Sequence, residues 1–200
     1  MITLALSSST ALVAVAIARH DQLLAEDSTL TDRRHAEEIT PMLQGVIERA
    51  GITIADLDRI VLDVGPGRYT GMRVGIATAK SLAFALSIPI VPVTSLQLLA
   101  AAASELNHGG PSYAVIDARR NQVFAQRFGH DDPLVVSPDE LMDQLPANTM
   151  LIGDGADRYA ESFAAVATVV TGIAPSIAAA ALWNSTAPSM PPSEIQPLYL

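Results

Sequence analysis

Apolar residues change period several times along this chain, and each change marks an element. Ile2 to Leu6 and Leu12 to Ile17 are short apolar runs separated by Ser7-Ser8-Ser9-Thr10, and Gln22 to Glu26 follows after His20-Asp21. This pattern predicts three successive strands joined by tight turns. From Asp32 the period lengthens: Ala36, Ile39, Leu43, Val46, Ile47 and Ala50 share one helical face, and Gly51 falls where a helix C-cap belongs. Pro41 within that span predicts a kink or a fresh helix start, because proline has no amide hydrogen to donate. Arg59 to Val64 reads as a buried strand, a helix follows to about Leu86, and Ile90 to Val93 reads as another strand.

An alanine-rich helix from about Ser95 to Glu105 precedes the polar break Asn107-His108-Gly109-Gly110-Pro111. The break predicts a boundary, with residues 1–106 as a first lobe and 107–187 as a smaller second one. In the second lobe, Tyr113 to Asp117 and Gln122 to Phe128 predict strands around the turn Ala118-Arg119-Arg120-Asn121. Pro138 to Leu145 predicts a short helix, Met150 to Ile152 a strand ending in Gly153-Asp154-Gly155, and Ser176 to Trp183 a last helix. Residues 188–200, rich in proline, predict an extended tail. No internal sequence repeat is visible.

Between Asp63 and Ala79 a strand end, the turn Gly65-Pro66-Gly67 and a glycine-studded helix start fall in one stretch. Such a corner can hold an anion or another backbone, or be a tight turn only. Its spacing matches neither a Walker loop nor Gly-x-Gly-x-x-Gly. Gly65, Gly67, Arg68, Thr70 and Arg73 are the candidate anion or nucleotide contacts, with a local ion pair to Asp63 as the plain alternative for the two arginines. Gly71, Gly75, Ala79 and Ala83 recur every four residues and predict close approach of a second polypeptide element, in this chain or another. Val74, Leu82 and Leu86 on the opposing stripe read as core.

Half of the residues are hydrophobic and 16% charged, which describes a globular chain. The formal charge of -9 opposes unaided binding to nucleic acid or to an anionic membrane surface. With no cysteine there is no thiolate nucleophile or cysteine zinc site. His20, His35, His108 and His130 lack ligand spacing and are expected on the surface or in turns, so no metal site is expected. Asp154 and the Asp117, Arg119, Arg120 group are expected to be satisfied strand-end turns. Met1 to Ser9 lacks a signal-peptide pattern, and a cytoplasmic protein is expected, with no membrane segment.

The order strand, strand, strand, helix, strand, helix, strand is that of the actin-like ATPase, ribonuclease H-like fold. The expected class is therefore α/β, two lobes with mixed sheets flanked by helices. Four ordered blocks, His35-Ala36-Glu37-Glu38-Ile39-Thr40-Pro41-Met42-Leu43, Gly65 through Gly75, Asp117 through Phe124 and Gly153-Asp154-Gly155, resemble the TsaB (YeaZ) family across nearly the whole chain. The second block is the most specific, shared with the larger relative TsaD.

This resemblance implies a non-catalytic subunit for threonylcarbamoyl transfer to adenosine 37 of ANN-decoding tRNAs. It implies heterodimer formation with TsaD through the two first-lobe helices, recruitment of TsaE, and only indirect contact with tRNA. A homodimer is expected of the isolated chain. His35, Ile39, Met42, Leu43, Val46, Gly71, Met72, Gly75, Ile76 and Ala79 are the residues it places at the partner, so that Gly75→Leu or Ala79→Glu would block pairing and leave the fold largely intact. TsaD-like catalysts carry a His-x-x-x-His pair in the segment reading Thr94 to Ala100 here, where no histidine occurs. The first strand ends in Ser7-Ser8-Ser9 where most of the family has an acid. No cofactor is expected on the chain alone, with ATP or ADP at a complex interface as the expected exception. The alternative is an autonomous actin-like ATPase or phosphotransfer enzyme using the Gly65 to Gly71 corner.

Overall fold

The computed structural model describes residues 1–31, 34–104, 106, 108–130, 132–182 and 188–200. Met1–Ser95 together with Ile177–Tyr199 form one compact unit, and Leu96–Ser176 form another.

In the first unit, β1 (Ile2–Ser7), β2 (Leu12–Arg19), β3 (Gln22–Leu30), β4 (Arg59–Asp63) and β5 (Ile90–Val93) make one sheet in the order β3-β2-β1-β4-β5. The first three strands are antiparallel, with Leu6 opposite Val15, whereas β4 runs parallel to β1 with Leu6 opposite Leu62. Consecutive residues of β1 and β2 are buried, so both sheet faces are covered. The covering helices are α1 (His35–Ala50), α2 (Tyr69–Leu86) and α7 (Ile177–Leu182). Leu4, Leu6, Val15, Ile17, Ile39, Val46, Leu62, Met72 and Ile76 share one apolar core.

The second unit contains the start of α3 (Ser95–Ala102) from Leu96 onward, β6 (Ser112–Arg119), β7 (Gln122–Arg127), β8 (Leu134–Val136), α4 (Pro138–Gln144), β9 (Thr149–Ile152), α5 (Asp154–Arg158), α6 (Ala160–Phe163) and β10 (Ala167–Val170). Its sheet runs β10-β9-β6-β7-β8, again with three antiparallel strands followed by two parallel ones. The unit therefore repeats the strand order of the first without a matching sequence, and both orders are those of the ribonuclease H-like, actin-like ATPase fold. Strands β8 and β10 escape the hydropathy pattern because they are short and neither has a fully buried residue.

Two expectations need correction. Pro41 does not start a new helix, since α1 runs from His35 to Ala50 with Pro41 inside it. Pro41 and Glu37 are both exposed, so the carbonyl left without its i+4 donor faces water. The unit boundary lies at Ser95/Leu96, not at 106/107, because Ser95 N donates to the Gly65 carbonyl at 2.9 Å while Leu96 and Leu99 belong to the second core. Residues 188–200 run without regular structure apart from a short helical turn at Pro192–Glu194, and they are tied down: Met190 bridges to Ile90, Ile195 is buried in the first core, and Leu198 N donates to the Val64 carbonyl at 2.8 Å. Asp32, Glu105, Asn107 and Trp183, which begin or end predicted elements, lie outside the described residues.

Candidate functional site

The glycine corner forms where β4 leaves the sheet. Asp63 ends β4 with 1% exposure, and its carboxylate accepts from Ser7 Oγ at 2.7 Å, Ser95 Oγ at 2.7 Å and Gly65 N at 2.9 Å. Ser9 Oγ lies 3.5 Å from the Asp63 carbonyl oxygen. Burial pushes the carboxyl above its usual range, against the hydrogen bonds that pull it down. This aspartate ties β1, β4, the Gly65 turn and the start of α3 together, a role the sequence does not announce; there it stands only as a candidate ion-pair partner of Arg68 and Arg73. The available signal was an acid closing an otherwise apolar strand directly before Gly-Pro-Gly.

Behind it, the turn after β1 presses onto α2. Arg68 N donates to the Ser9 carbonyl at 2.5 Å, and Ser8 Oγ donates to the Gly71 carbonyl at 2.8 Å. A Cβ at Gly67 would collide with the Ser9 carbonyl, one at Gly71 with the Ser8 carbonyl and the His35 ring, and one at Gly75 with Ser8 Oγ. Of the two occupants a glycine corner admits, an anion or another backbone, this one holds backbone: carbonyl oxygens fill the space a phosphate would need. Gly65 lies against Met72 and the Leu198 carbonyl, Gly67 against the Ser9 carbonyl, Thr70 is exposed on the first turn of α2, and Arg73 donates to Tyr69 Oη at 2.7 Å.

The partner residues expected on α1 and α2 also need correction. His35, Ile39, Met42, Leu43, Val46, Gly71, Met72, Gly75, Ile76 and Ala79 are all buried by this chain itself. Ala79 and Ala83 have no exposure, and the small stripe exists to let α2 sit on β1 and its serine turn. Gly75→Leu or Ala79→Glu would consequently strike the chain's own core. His35 is a buried histidine, not a surface one, with Nε2 2.9 Å from the Thr10 carbonyl. Periodicity identified the small face correctly but could not say which element lay against it. Val74, Leu82 and Leu86 pack against the first core only in part.

What α1 and α2 present to solvent is different. Tyr69, Arg73, Ala77 and Phe84 are exposed along α2, with the half-buried Lys80 between them. Phe84 is 82% exposed. On α1 the outward residues are Ala36, Glu37, Thr40, Pro41, Gln44 and Glu48, with Arg49 exposed in the last turn and paired to Asp27. An apolar-aromatic row with basic side chains therefore runs beside an acidic helix face, and Tyr69 and Phe84 stand out as exposed aromatics.

In the second unit, Asp117 pairs with Arg119 at 3.2 Å and with Arg158 at 3.3 Å, and its amide donates to Asp154 Oδ1 at 3.1 Å. A side-chain hydrogen bond with Tyr159, and after it the charge of the Asp117 carboxylate, raise the Arg158 guanidinium further above its usual value. This cluster is a self-satisfied strand-end arrangement. Among the described residues no group of three His, Asp or Glu side chains is placed to hold a metal ion. No described helix is long and apolar enough to cross a membrane.

Residues 28–145 match the family model of TsaD, tRNA N6-adenosine threonylcarbamoyltransferase. The chain is 34% identical over 142 residues to the tRNA threonylcarbamoyladenosine biosynthesis protein TsaB of Bacillus subtilis, a match covering 70% of this chain and 61% of that protein. It is 30% identical over 175 residues to the protein of the same name from Haemophilus influenzae, covering 79% of this chain and 74% of the relative. The structure of YeaZ from Pseudomonas aeruginosa superposes with a TM-score of 0.86 at 25% identity, over 100% of this chain and 99% of that one. Sequence, order of motifs and fold agree, and the chain belongs to the TsaB (YeaZ) family.

Proposed function

We propose that this chain acts in forming threonylcarbamoyladenosine at position 37 of ANN-decoding tRNAs as a non-catalytic subunit that pairs with TsaD and brings in TsaE. The names of the relatives and the matching family model support the pathway. The observation that carries the pairing is the outward face of α2, where Phe84 stands 82% exposed in a row with Tyr69 and Ala77. Exposed aromatic side chains beside a few fixed charges are the composition of protein interfaces.

The filled serine-glycine corner argues against the rival, an ATPase acting alone, because carbonyl oxygens repel the phosphate that corner would bind. Any ATP or ADP would sit at the complex interface. With a net charge of -9, tRNA contact falls to the partners, and the setting is the cytoplasm, where tRNA is modified. Isolated chains would pair through the same helices, the acids of α1 facing the cations of α2 about a two-fold axis.

Phe84→Asp tests the reading, since this side chain is too exposed to matter for folding. The variant should lose co-purification with TsaD and threonylcarbamoyl transfer in the reconstituted reaction while its circular dichroism stays unchanged. Unimpaired pairing and transfer would sink the assignment, and ATP turnover by the chain alone with magnesium would favour the rival.

A further inference from the structure

The outward face of α2 is bordered by the chain's own C-terminal segment. Met190 and Ile90 exchange backbone hydrogen bonds of 2.7 and 3.0 Å, and Ile195 is buried. Lys80 Nζ donates to the Ile195 carbonyl at 3.1 Å. Tyr199 stacks on Tyr69 with centroids 5.7 Å apart, and the Arg73 guanidinium lies 5.2 Å over the Tyr69 ring. Helix and segment together wall a groove of about 420 Å³, lined among others by Tyr69, Arg73, Ala77, Lys80, Pro197 and Tyr199.

Both cations in this groove are held by uncharged oxygens, a phenol for Arg73 and a carbonyl for Lys80. Among the described residues neither is paired with a carboxylate, although the chain carries an excess of acids and Arg49, Arg119 and Arg158 each have such a partner. Two positive charges held in place beside aromatic and proline walls suit a carboxylate, to which the guanidinium or the ammonium can donate.

We propose, resting on the reading that α2 docks TsaD, that this groove receives an aspartate or glutamate side chain of the docked subunit. The C-terminal segment is then part of the docking surface, not merely a strap over the core. Tyr199 and Tyr69 set the groove's width, and Arg73 and Lys80 supply its charge.

The test is the affinity of the full chain for TsaD, measured by calorimetry at about 50 and about 300 mM salt, a range over which surface charge is progressively screened. The double variant Arg73→Gln/Lys80→Gln should bind at least about tenfold more weakly at low salt and lose most of the salt dependence of the native pair. Tyr199→Ala should weaken binding about fivefold, with Tyr199→Phe, which keeps the ring, within about twofold of the native chain. Melting temperatures verify that each variant is folded. If Phe84→Asp prevents pairing while the charge-deleted variant binds like the native chain with the same salt slope, the carboxylate groove is wrong and the docking reading stands. If neither substitution matters, both fall. Competition by ADP or inorganic phosphate that vanishes in the double variant would identify a phosphate as the occupant and overturn the proposal.

Discussion

The two units share one strand order and differ in what they do with the corner it creates. In both, the chain after the fourth strand presses glycine onto the end of the first: Gly67, Gly71 and Gly75 against Ser8 and Ser9 in one, Gly153 and Gly155 against the backbone of Val115 to Asp117 in the other. In the first unit the polar groups at that corner are sealed in, an aspartate with 1% exposure surrounded by hydroxyls. In the second the Asp117 side chain is itself only 7% exposed, but it is paired with two exposed arginines, Arg119 and Arg158. A carboxylate sealed among hydroxyls needs every hydrogen bond it has, whereas one paired with guanidinium groups that reach water is partly buffered by solvent. One topology therefore yields a rigid corner and a tolerant one, and the rigid one fixes α2, the helix whose outer face carries the aromatic row.

The sharpest way to break that contrast is Gly71→Val. Its Cβ meets backbone rather than a flexible side-chain end, so a loss of about 3 kcal/mol is expected in urea unfolding. A loss under about 1 kcal/mol would mean that the corner can open. Asp63→Ala should cost about 2 kcal/mol or more, since it strands the buried Ser7, Ser95 and Gly65 donors.

Asp63→Asn sharpens the same point through pH. Because burial holds the folded carboxyl above its ordinary value of 3.8, the folded state keeps its proton after the unfolded state has lost it. The native chain should then lose stability relative to the asparagine variant as pH rises from 3.8 toward the raised folded value, as read by paired thermal melts. A difference that stays flat would show that the hydrogen bonds fully offset burial. At the small end, Asp117→Asn, which keeps a hydrogen-bonding side chain beside the two exposed arginines, should shift stability by about 1 kcal/mol, less still in high salt. A larger loss would place the second corner in the same class as the first.

The regular elements of the first unit are legible because β1, β2 and β4 are almost wholly apolar and α1 and α2 keep period over four turns or more. The second unit is less legible: β8 and β10 are three and four residues without a buried one, whereas the equally short β5 and β9 are buried. At the site, the glycine stripe was visible, but its meaning reversed. Gly71, Gly75, Ala79 and Ala83 announce a close neighbour, and whether that neighbour is Ser8 or another chain depends on a hairpin more than 60 residues away in sequence.

By itself the sequence determined the fold class, the family and the existence of a tight glycine corner, since hydropathy period, motif order and the absence of a Cβ are local properties of residues. Only the tertiary structure decided which face of α2 is free, that Asp63 is the hub of the corner, and that Tyr199 returns to stack on Tyr69. Each of these depends on bringing distant segments into contact, and no periodicity along the chain records which of two equally small or equally apolar faces will be covered.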